Sequence, residues 1–311
     1  MSTPATPERC NRLKVTVLRG GPSPEREVSL TSGAAVAAAL RREGYEVYEA
    51  DIGPDDLAAL DQPVDVVFPV LHGTFGEDGI LQRILDDRGL RYVGSGAEAS
   101  ARAMDKVAAK DCVGRAGILT PEYEVWTAAG DGTLATRLPL PVVVKPVDQG
   151  SSVATFIVRD EARFPGAVRE VAGQFGRALV EQFIDGDEIT VGILGDQALP
   201  PICVRPKRPF YDYQAKYQDD ATEYLFDAGH PASLLEQARR QSLTVFAALG
   251  CRHLARVDWM ADRDGRLWFL ELNTIPGFTS HSLVPKAAAR TGIPFDALCA
   301  RLVEMAAASF T

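Results

Sequence analysis

Arg256, Asp258, Glu271 and Asn273 are the residues whose types and spacing point most directly to chemistry. They lie in two apolar-rich runs, residues 255–260 and 269–274, separated by Asp264-Gly265. Asp-Gly between such runs is a strong hairpin signal, because a type I′ turn needs φ > 0 at both central positions. That turn sets a register: Arg263 faces Arg266, Trp259 faces Leu270, Asp258 faces Glu271 and Arg256 faces Asn273. Alternation then puts Arg256, Asp258, Glu271 and Asn273 on one face, and Val257, Trp259, Leu270 and Leu272 on the other. Two opposed carboxylates repel unless a cation lies between them or a basic side chain neutralises them. Two carboxylates and an amide oxygen are the hard donors Mg²⁺ prefers, so the polar face is a candidate metal site.

Other segments carry groups suited to phosphate. Lys145 ends an apolar strand and is followed by Gly150-Ser151-Ser152. Small residues let backbone N–H groups approach phosphate oxygens, and the ammonium adds a point charge. An ordinary hairpin turn would look the same. No GxxxxGK[ST] pattern is present, which excludes a P-loop enzyme. Glu181 and Glu188 bracket a strand end where backbone at residues 182–184 can pair an adenine edge and a carboxylate can hold ribose hydroxyls. Lys216-Tyr217 lies in a polar, aperiodic stretch, residues 205–224, long enough to close over a site and exclude water. Glu25 follows Gly20-Gly21 and precedes a helix, where an acid is either structural or placed to grip an ammonium.

The elements that must position these groups fall into two patterns. Up to about residue 100, strands at 13–18, 45–52 and 64–71 alternate with helices. One helix is expected from about Ser29 with Leu30, Ala34, Ala37 and Ala38 on its inner face; another carries Ile80, Leu81, Ile84 and Leu85 and stops at Gly89. That grammar means a parallel α/β sheet with ligands at the carboxyl ends of strands, where Gly20-Gly21 and His72-Gly73 fall. Beyond it, a helix carrying Met104 and Lys106 leads into strands at 142–145, 154–158, 179–184 and 188–194, an α+β pattern with an antiparallel sheet. A helix through Leu235, Ala238, Val245 and Leu249 stops at Gly250, and an amphipathic helix with Phe295, Leu298, Cys299, Leu302 and Ala306 inward ends the chain.

The chain has 311 residues, 46% hydrophobic and 24% charged, the composition of a soluble globular protein. A net charge of −9 argues against nucleic acid as a partner. The five cysteines are scattered without a CxxC, and the four histidines are isolated, so free thiols in a reducing cytoplasm are expected rather than disulfides or a zinc site. No apolar run approaches a membrane span. Residues 1–12 read as a loose tail.

The chain resembles the D-alanine–D-alanine ligases of the ATP-grasp superfamily over nearly its whole length. The resemblance rests on 20–29 (GGPSPEREVS), His72-Gly73 with Gly76-Glu77-Asp78-Gly79, Met104-Asp105-Lys106, Lys145-Pro146 with Gly150-Ser151-Ser152, Tyr211-Asp212-Tyr213 with Lys216-Tyr217, Arg256-Val257-Asp258, and Glu271-Leu272-Asn273-Thr274 with 276–283 (PGFTSHSL), in family order and spacing. It implies a Rossmann-like N-terminal α/β domain of the preATP-grasp type (13–102), a central ATP-grasp subdomain (103–188) and a C-terminal catalytic subdomain (189–311), with a lid loop at about 205–226. It implies ATP held by Lys106, Lys145, Ser151 and Lys216 at the phosphates and by Glu181, Phe183, Ile184 and Glu188 at adenine and ribose. Mg²⁺, two ions with Mn²⁺ able to substitute, would sit on Asp258, Glu271 and Asn273. Glu25 would grip the first D-alanine's ammonium, His72 would line the substrate site, Arg256 and the Gly277 N–H would face the tetrahedral oxyanion, and Ser282 and Leu283 would hold the second D-alanine's carboxylate. Tyr217 with Ser151 and Glu25 would close the lid, and its phenol favours an amine over D-lactate as nucleophile. The implied reaction phosphorylates one D-alanine carboxylate and joins it to a second D-alanine for peptidoglycan synthesis, in a cytoplasmic homodimer. Another ATP-grasp carboxylate–amine ligase, or a D-alanine–D-lactate ligase, is the alternative. The chain departs from the common pattern at Ala154, where many relatives have glycine, and at Phe278, where many have methionine.

Overall fold

The computed structural model describes residues 13–127, 134–150, 153–205, 223–226 and 229–309. Strands β1 (Lys14–Arg19), β2 (Glu46–Asp51) and β3 (Val66–Pro69) form a parallel sheet in the order β2-β1-β3. Helix α1 (Arg26–Arg42) connects β1 to β2. It starts three residues earlier than its apolar pattern suggests, and its buried side is Ser29, Ser32, Gly33, Val36, Ala37, Ala39 and Leu40: of the expected inner residues Ala37 is buried, while Leu30, Ala34 and Ala38 are not. Two serines can face inward because polar groups meet partners there. Ser29 Oγ donates to the Val70 carbonyl at 2.7 Å and accepts from the Gly20 N–H at 2.9 Å, which ties the helix to both strand ends. Helix α2 (Ile80–Asp87) buries Leu81 and Leu85, while Ile80 is half exposed.

The expected helix through Met104 and Lys106 is two helices, α3 (Ala97–Met104) and α4 (Lys106–Arg115). Asp105 breaks the run: its backbone is extended, and its carboxylate accepts from the N–H groups of Val107 and Ala108 as the cap of α4. Strands β4 (Tyr123–Thr127), β5 (Val142–Pro146), β6 (Phe156–Val158) and β7 (Arg177–Gln182) make an antiparallel sheet in the order β4-β7-β5-β6, backed by α5 (Phe164–Phe175). Ala154, ahead of β6, has φ +47, so this chain places a Cβ in the left-handed region where glycine is the easier choice.

The third sheet is the largest. Strands β8 (Gly186–Leu194), β9 (Gln197–Ala198), β10 (Ile202–Arg205), β11 (Glu223–Leu225), β12 (Leu254–Asp262) and β13 (Leu267–Asn273) run β11-β10-β8-β12-β13, with β9 also on β8. One face carries α6 (Ala232–Leu249), closed by Gly250 at φ +75. Helices α7 (Leu283–Arg290) and α8 (Phe295–Ala308) pack with α1 against a core shared with the parallel sheet. Phe278 belongs to that core: it is buried against Phe68 and Phe295, with ring centroids 6.0 and 5.7 Å away, and does not face the cleft described below.

The β12–β13 hairpin corrects the expected turn but keeps the expected pairing at its far end. Asp262 N–H donates to the Arg266 carbonyl, so the loop is three residues, 263–265, with Gly265 at φ +77. Arg263 therefore does not face Arg266, and Trp259 faces Phe269 rather than Leu270. A bulge at Leu270 absorbs the offset, and Asp258↔Glu271, Val257↔Leu272 and Arg256↔Asn273 pair as expected. Packing chooses this register. Phe269 is fully buried with its ring edge-on to Trp259 at 5.9 Å, and Trp268 stays outside, where its indole donates to Asp262 at 2.9 Å.

Candidate active site

The polar face of the hairpin opens into a cleft of about 520 Å³ between the large sheet and the parallel sheet. Its walls include Arg256, Asp258, Glu271 and Asn273 from β12 and β13, and Glu188 from β8. Across from them stand Glu25, ahead of α1, and His72, after β3, while Gly277, Ser282 and Leu283 close one end. Ten of the expected site residues thus line one cavity, though they come from segments as far apart as 25 and 283.

Asp258 is almost fully buried and accepts from three sides. Arg256 donates through Nε at 2.8 Å and Nη2 at 2.7 Å, Thr190 Oγ1 at 2.6 Å, and Asn273 Nδ2 at 3.2 Å. Thr190 lies opposite Asp258 on β8, so the neighbouring strand supplies that hydroxyl by register alone. Glu271 lies 3.5 Å from the Lys106 ammonium. Asp258, Glu271 and Asn273 therefore share one wall, and a pair of carboxylates with an amide is a donor set that fits Mg²⁺.

Lys106, Lys145 and Glu181 are brought together beside the cleft rather than in its lining. Lys106 starts α4 and donates to the Gln149 carbonyl at 2.6 Å, holding the loop after β5. Glu181, buried on β7, is held by Lys145 on one oxygen and by Lys110 on the other at 2.9 Å. Burial alone would raise the Glu181 carboxyl, but Lys110 and Lys145 hold it down at about 2. Burial lowers both Lys106 and Lys110, the latter to about 8 despite Glu181. Glu181 is thus the counter-ion shared by Lys110 and Lys145. Lys110 was not singled out from the sequence. The available signal is its i+4 spacing from Lys106, which puts both ammonium groups on one side of α4.

Phe183 and Ile184 follow β7 and are half-buried. The N–H groups of Gln182 and Phe183 donate to the carbonyls of Glu122 and Pro141, so two of the three backbone donors considered for an adenine edge are engaged within the protein. Ser151, Lys216 and Tyr217 lie outside the described residues.

Glu77 lines the cleft and was quoted in the sequence without a role. It accepts from the N–H groups of Gly73 at 2.7 Å and Ile275 at 3.3 Å. Burial, then the nearby charge of Glu25, pushes its carboxyl up to about 8. His72 Nδ1 lies 3.0 Å from the Ile275 carbonyl, which requires the proton on Nδ1 and leaves Nε2 a lone pair, with no partner among the described residues. Burial lowers its pKa, so the ring is neutral. Gly73, at φ +70, lets Ser23 and Glu25 come close: a Cβ there would sit 2.6 Å from Ser23 Oγ and 3.3 Å from a Glu25 oxygen. Ser282 Oγ accepts from the Thr279 N–H at 3.0 Å and fixes the loop that carries Gly277.

The chain is similar to known proteins over nearly its whole length. Residues 114–304 match the family model described as D-ala D-ala ligase C-terminus, and residues 50–95 match D-ala D-ala ligase N-terminus. A D-alanine–D-alanine ligase of Citrifermentans bemidjiense is 43% identical over 97% of this chain and 98% of its own length. The crystal structure of D-alanine–D-alanine ligase from Bacillus anthracis complexed with ATP superposes with a TM-score of 0.83 at 31% identity, covering 94% of this chain and 97% of that one. VanG D-Ala:D-Ser ligase from Enterococcus faecalis superposes with a TM-score of 0.84 at 28% identity, covering 95% and 99%. The chain has the ATP-grasp fold and belongs to the D-alanine–D-alanine ligase family.

Proposed function

We propose that this protein joins two molecules of D-alanine in an ATP-dependent, ADP-forming reaction. The observation that carries the reading is the single cleft in which Arg256, Asp258, Glu271 and Asn273 face Glu25, His72, Gly277 and Ser282. A carboxylate–amine ligase needs those groups together: cation-binding carboxylates, an arginine for a developing oxyanion, and an acid for a substrate ammonium.

Asp258, Glu271 and Asn273 would hold Mg²⁺. The metal supplies Lewis-acid neutralisation of phosphate charge. Lys106 and Lys145 add positive charge from α4 and β5, with Ser151 and Lys216 as further phosphate contacts, and the backbone around Phe183 and Ile184 with Glu188 as the nucleoside side. Glu25 orients the first D-alanine through its ammonium. The carboxylate oxygen of that D-alanine attacks the γ-phosphorus of ATP, and ADP leaves. The second D-alanine, held at Ser282 and Leu283, attacks the acyl carbon with its neutral amine, the nitrogen gives up its surplus proton to the departing phosphate or solvent, and inorganic phosphate leaves. Arg256 and the Gly277 N–H stabilise the oxyanion of that addition. His72, a neutral ring whose Nε2 has no partner among the described residues, lines the amine's approach. Tyr217 on the 205–226 segment helps exclude water, because acyl phosphates hydrolyse.

The same reading divides the chain at about 102 and 188, and takes it as a cytoplasmic homodimer. Among the described residues no helix is long and apolar enough to cross a membrane. A coupled ADP-release assay with D-alanine, L-alanine, D-serine and D-lactate tests the function. Release that requires D-alanine and Mg²⁺ and yields the dipeptide supports it. Product from another pair with none from D-alanine alone overturns it.

A further inference from the structure

The sequence argued against a zinc site, yet the fold brings a cysteine, a histidine and an aspartate together on the far side of the large sheet. Glu188 points into the cleft, so its β8 neighbours Asp187 and Ile189 point the other way. Cys203 on β10 pairs with Ile189 and so shares that face. His230, two residues ahead of α6, lies over the same spot, because α6 packs its Leu234 and Ala238 with Ile189. His230 Nε2 is 3.2 Å from an Asp187 oxygen and 3.9 Å from Cys203 Sγ. All three candidate donor atoms lie within 4.8 Å of one another.

We propose that Asp187, Cys203 and His230 form a site for one borderline-soft divalent cation of the Zn²⁺ class, distinct from the carboxylate pair of the cleft.

The spacing suits it. Around a tetrahedral Zn²⁺ with bonds of about 2.0–2.3 Å, ligand atoms sit about 3.3–3.8 Å apart. Two of the observed separations, 3.2 and 3.9 Å, already lie at the edges of that range, and the third is no more than 4.8 Å. The donor set separates the two sites chemically: thiolate and imidazole select Zn²⁺, whereas the all-oxygen set of the cleft selects Mg²⁺. Three protein ligands leave a fourth position open, and two of them, Asp187 and His230, also line a second cavity of about 670 Å³. Asp185, Asp262 and Asp264 line that cavity with Arg263, so its rim carries more negative than positive charge. On binding, the S–H bond of Cys203 breaks, its proton passes to solvent, and the thiolate bonds the metal. The proton that His230 Nε2 shares with Asp187 passes to solvent as well, the ring keeps its proton on Nδ1, and the Nε2 lone pair bonds the metal. The metal would fasten β10 to β8 and to the start of α6.

The test uses full-length protein stripped with a chelator and kept in excess Mg²⁺, which occupies all-oxygen sites. Titration with Co²⁺ should show one equivalent bound, with a near-ultraviolet thiolate-to-cobalt charge-transfer band that Zn²⁺ then bleaches. Cys203→Ser should abolish the band. Cys203→Ser and His230→Gln should each weaken Zn²⁺ binding by at least about tenfold, the effect seen even for outer-shell partners. A wild-type protein without the band, or a band that survives Cys203→Ser, overturns the proposal. Should Cys203→Ser fail to fold, the wild-type spectrum with His230→Gln decides: a charge-transfer band and Zn²⁺ affinity unchanged by that substitution reject the site. None of these readouts depends on ligase turnover.

Discussion

Arg256 grips Asp258 from two residues away on the same strand, with Nε at 2.8 Å and Nη2 at 2.7 Å from the carboxylate oxygens. Without metal, the arginine neutralises a buried acid; in the proposed reaction both have further work. Arg256→Met should therefore destabilise the metal-free protein by about 3–5 kcal/mol, the range for stripping a buried charge of its partner. Mg²⁺ should restore more stability to the variant than it adds to the wild type. Urea denaturation in EDTA and in Mg²⁺ checks this, and equal Mg²⁺ effects on both proteins would contradict it. Turnover should fall on the order of 10²–10³-fold, as for loss of one oxyanion donor.

Glu77 gives a pH signature. Its folded pKa is raised from 4.5 to about 8, so the folded state holds a proton that the unfolded chain has released between those values. Stability then falls as pH rises through that window. Glu77→Gln removes the slope. The melting temperature of the variant relative to wild type should climb from about pH 5 to about pH 8, read by thermal melts at matched ionic strength.

Glu181 is the shared counter-ion of Lys110 and Lys145, and its folded pKa lies below its ordinary value, at about 2. Its contribution is present above its ordinary pKa of 4.5 and is lost as pH falls toward 2. Glu181→Gln should cost about 3–5 kcal/mol at neutral pH by leaving buried ammonium groups unpaired. Glu181→Leu combined with Lys110→Met should recover part of that, since an apolar pair needs no neutralisation. Chemical denaturation of the two variants beside the wild type measures both effects.

Trp259 is fully buried, and its indole N–H donates to Ser242 Oγ on α6 at 2.9 Å. Ser242→Ala leaves that donor without an acceptor and should lower stability by about 1–3 kcal/mol without moving the KM for D-alanine. Urea titration and steady-state kinetics separate the two readouts.

The polar face of the hairpin was legible because period-two alternation survives everything but a one-residue slip. The turn was not, because Asp264-Gly265 suits two loop lengths, and the choice falls to Phe269 packing on Trp259 and Trp268 reaching Asp262. The sheet classes were legible from the order of strands and helices. The inner face of α1 was not, because Ser29 and Ser32 read as surface residues until their hydrogen-bond partners are known. Lys110 escaped for the same reason: a helical lysine belongs in solvent unless another element presents an acid, here Glu181 on β7. Asp187, Cys203 and His230 share no short motif, and only the pairing of β8 with β10 and the seat of α6 unite them.

The bulge at Leu270 has a practical side. It works like a clutch between the tip of the hairpin and its root, since strand pairing on one side is counted separately from pairing on the other. Changes of loop length between Asp262 and Arg266 need not propagate to Asp258 and Glu271. That tip is therefore a suitable place to attach a spectroscopic label or a short tag while the chemistry at the other end goes on undisturbed.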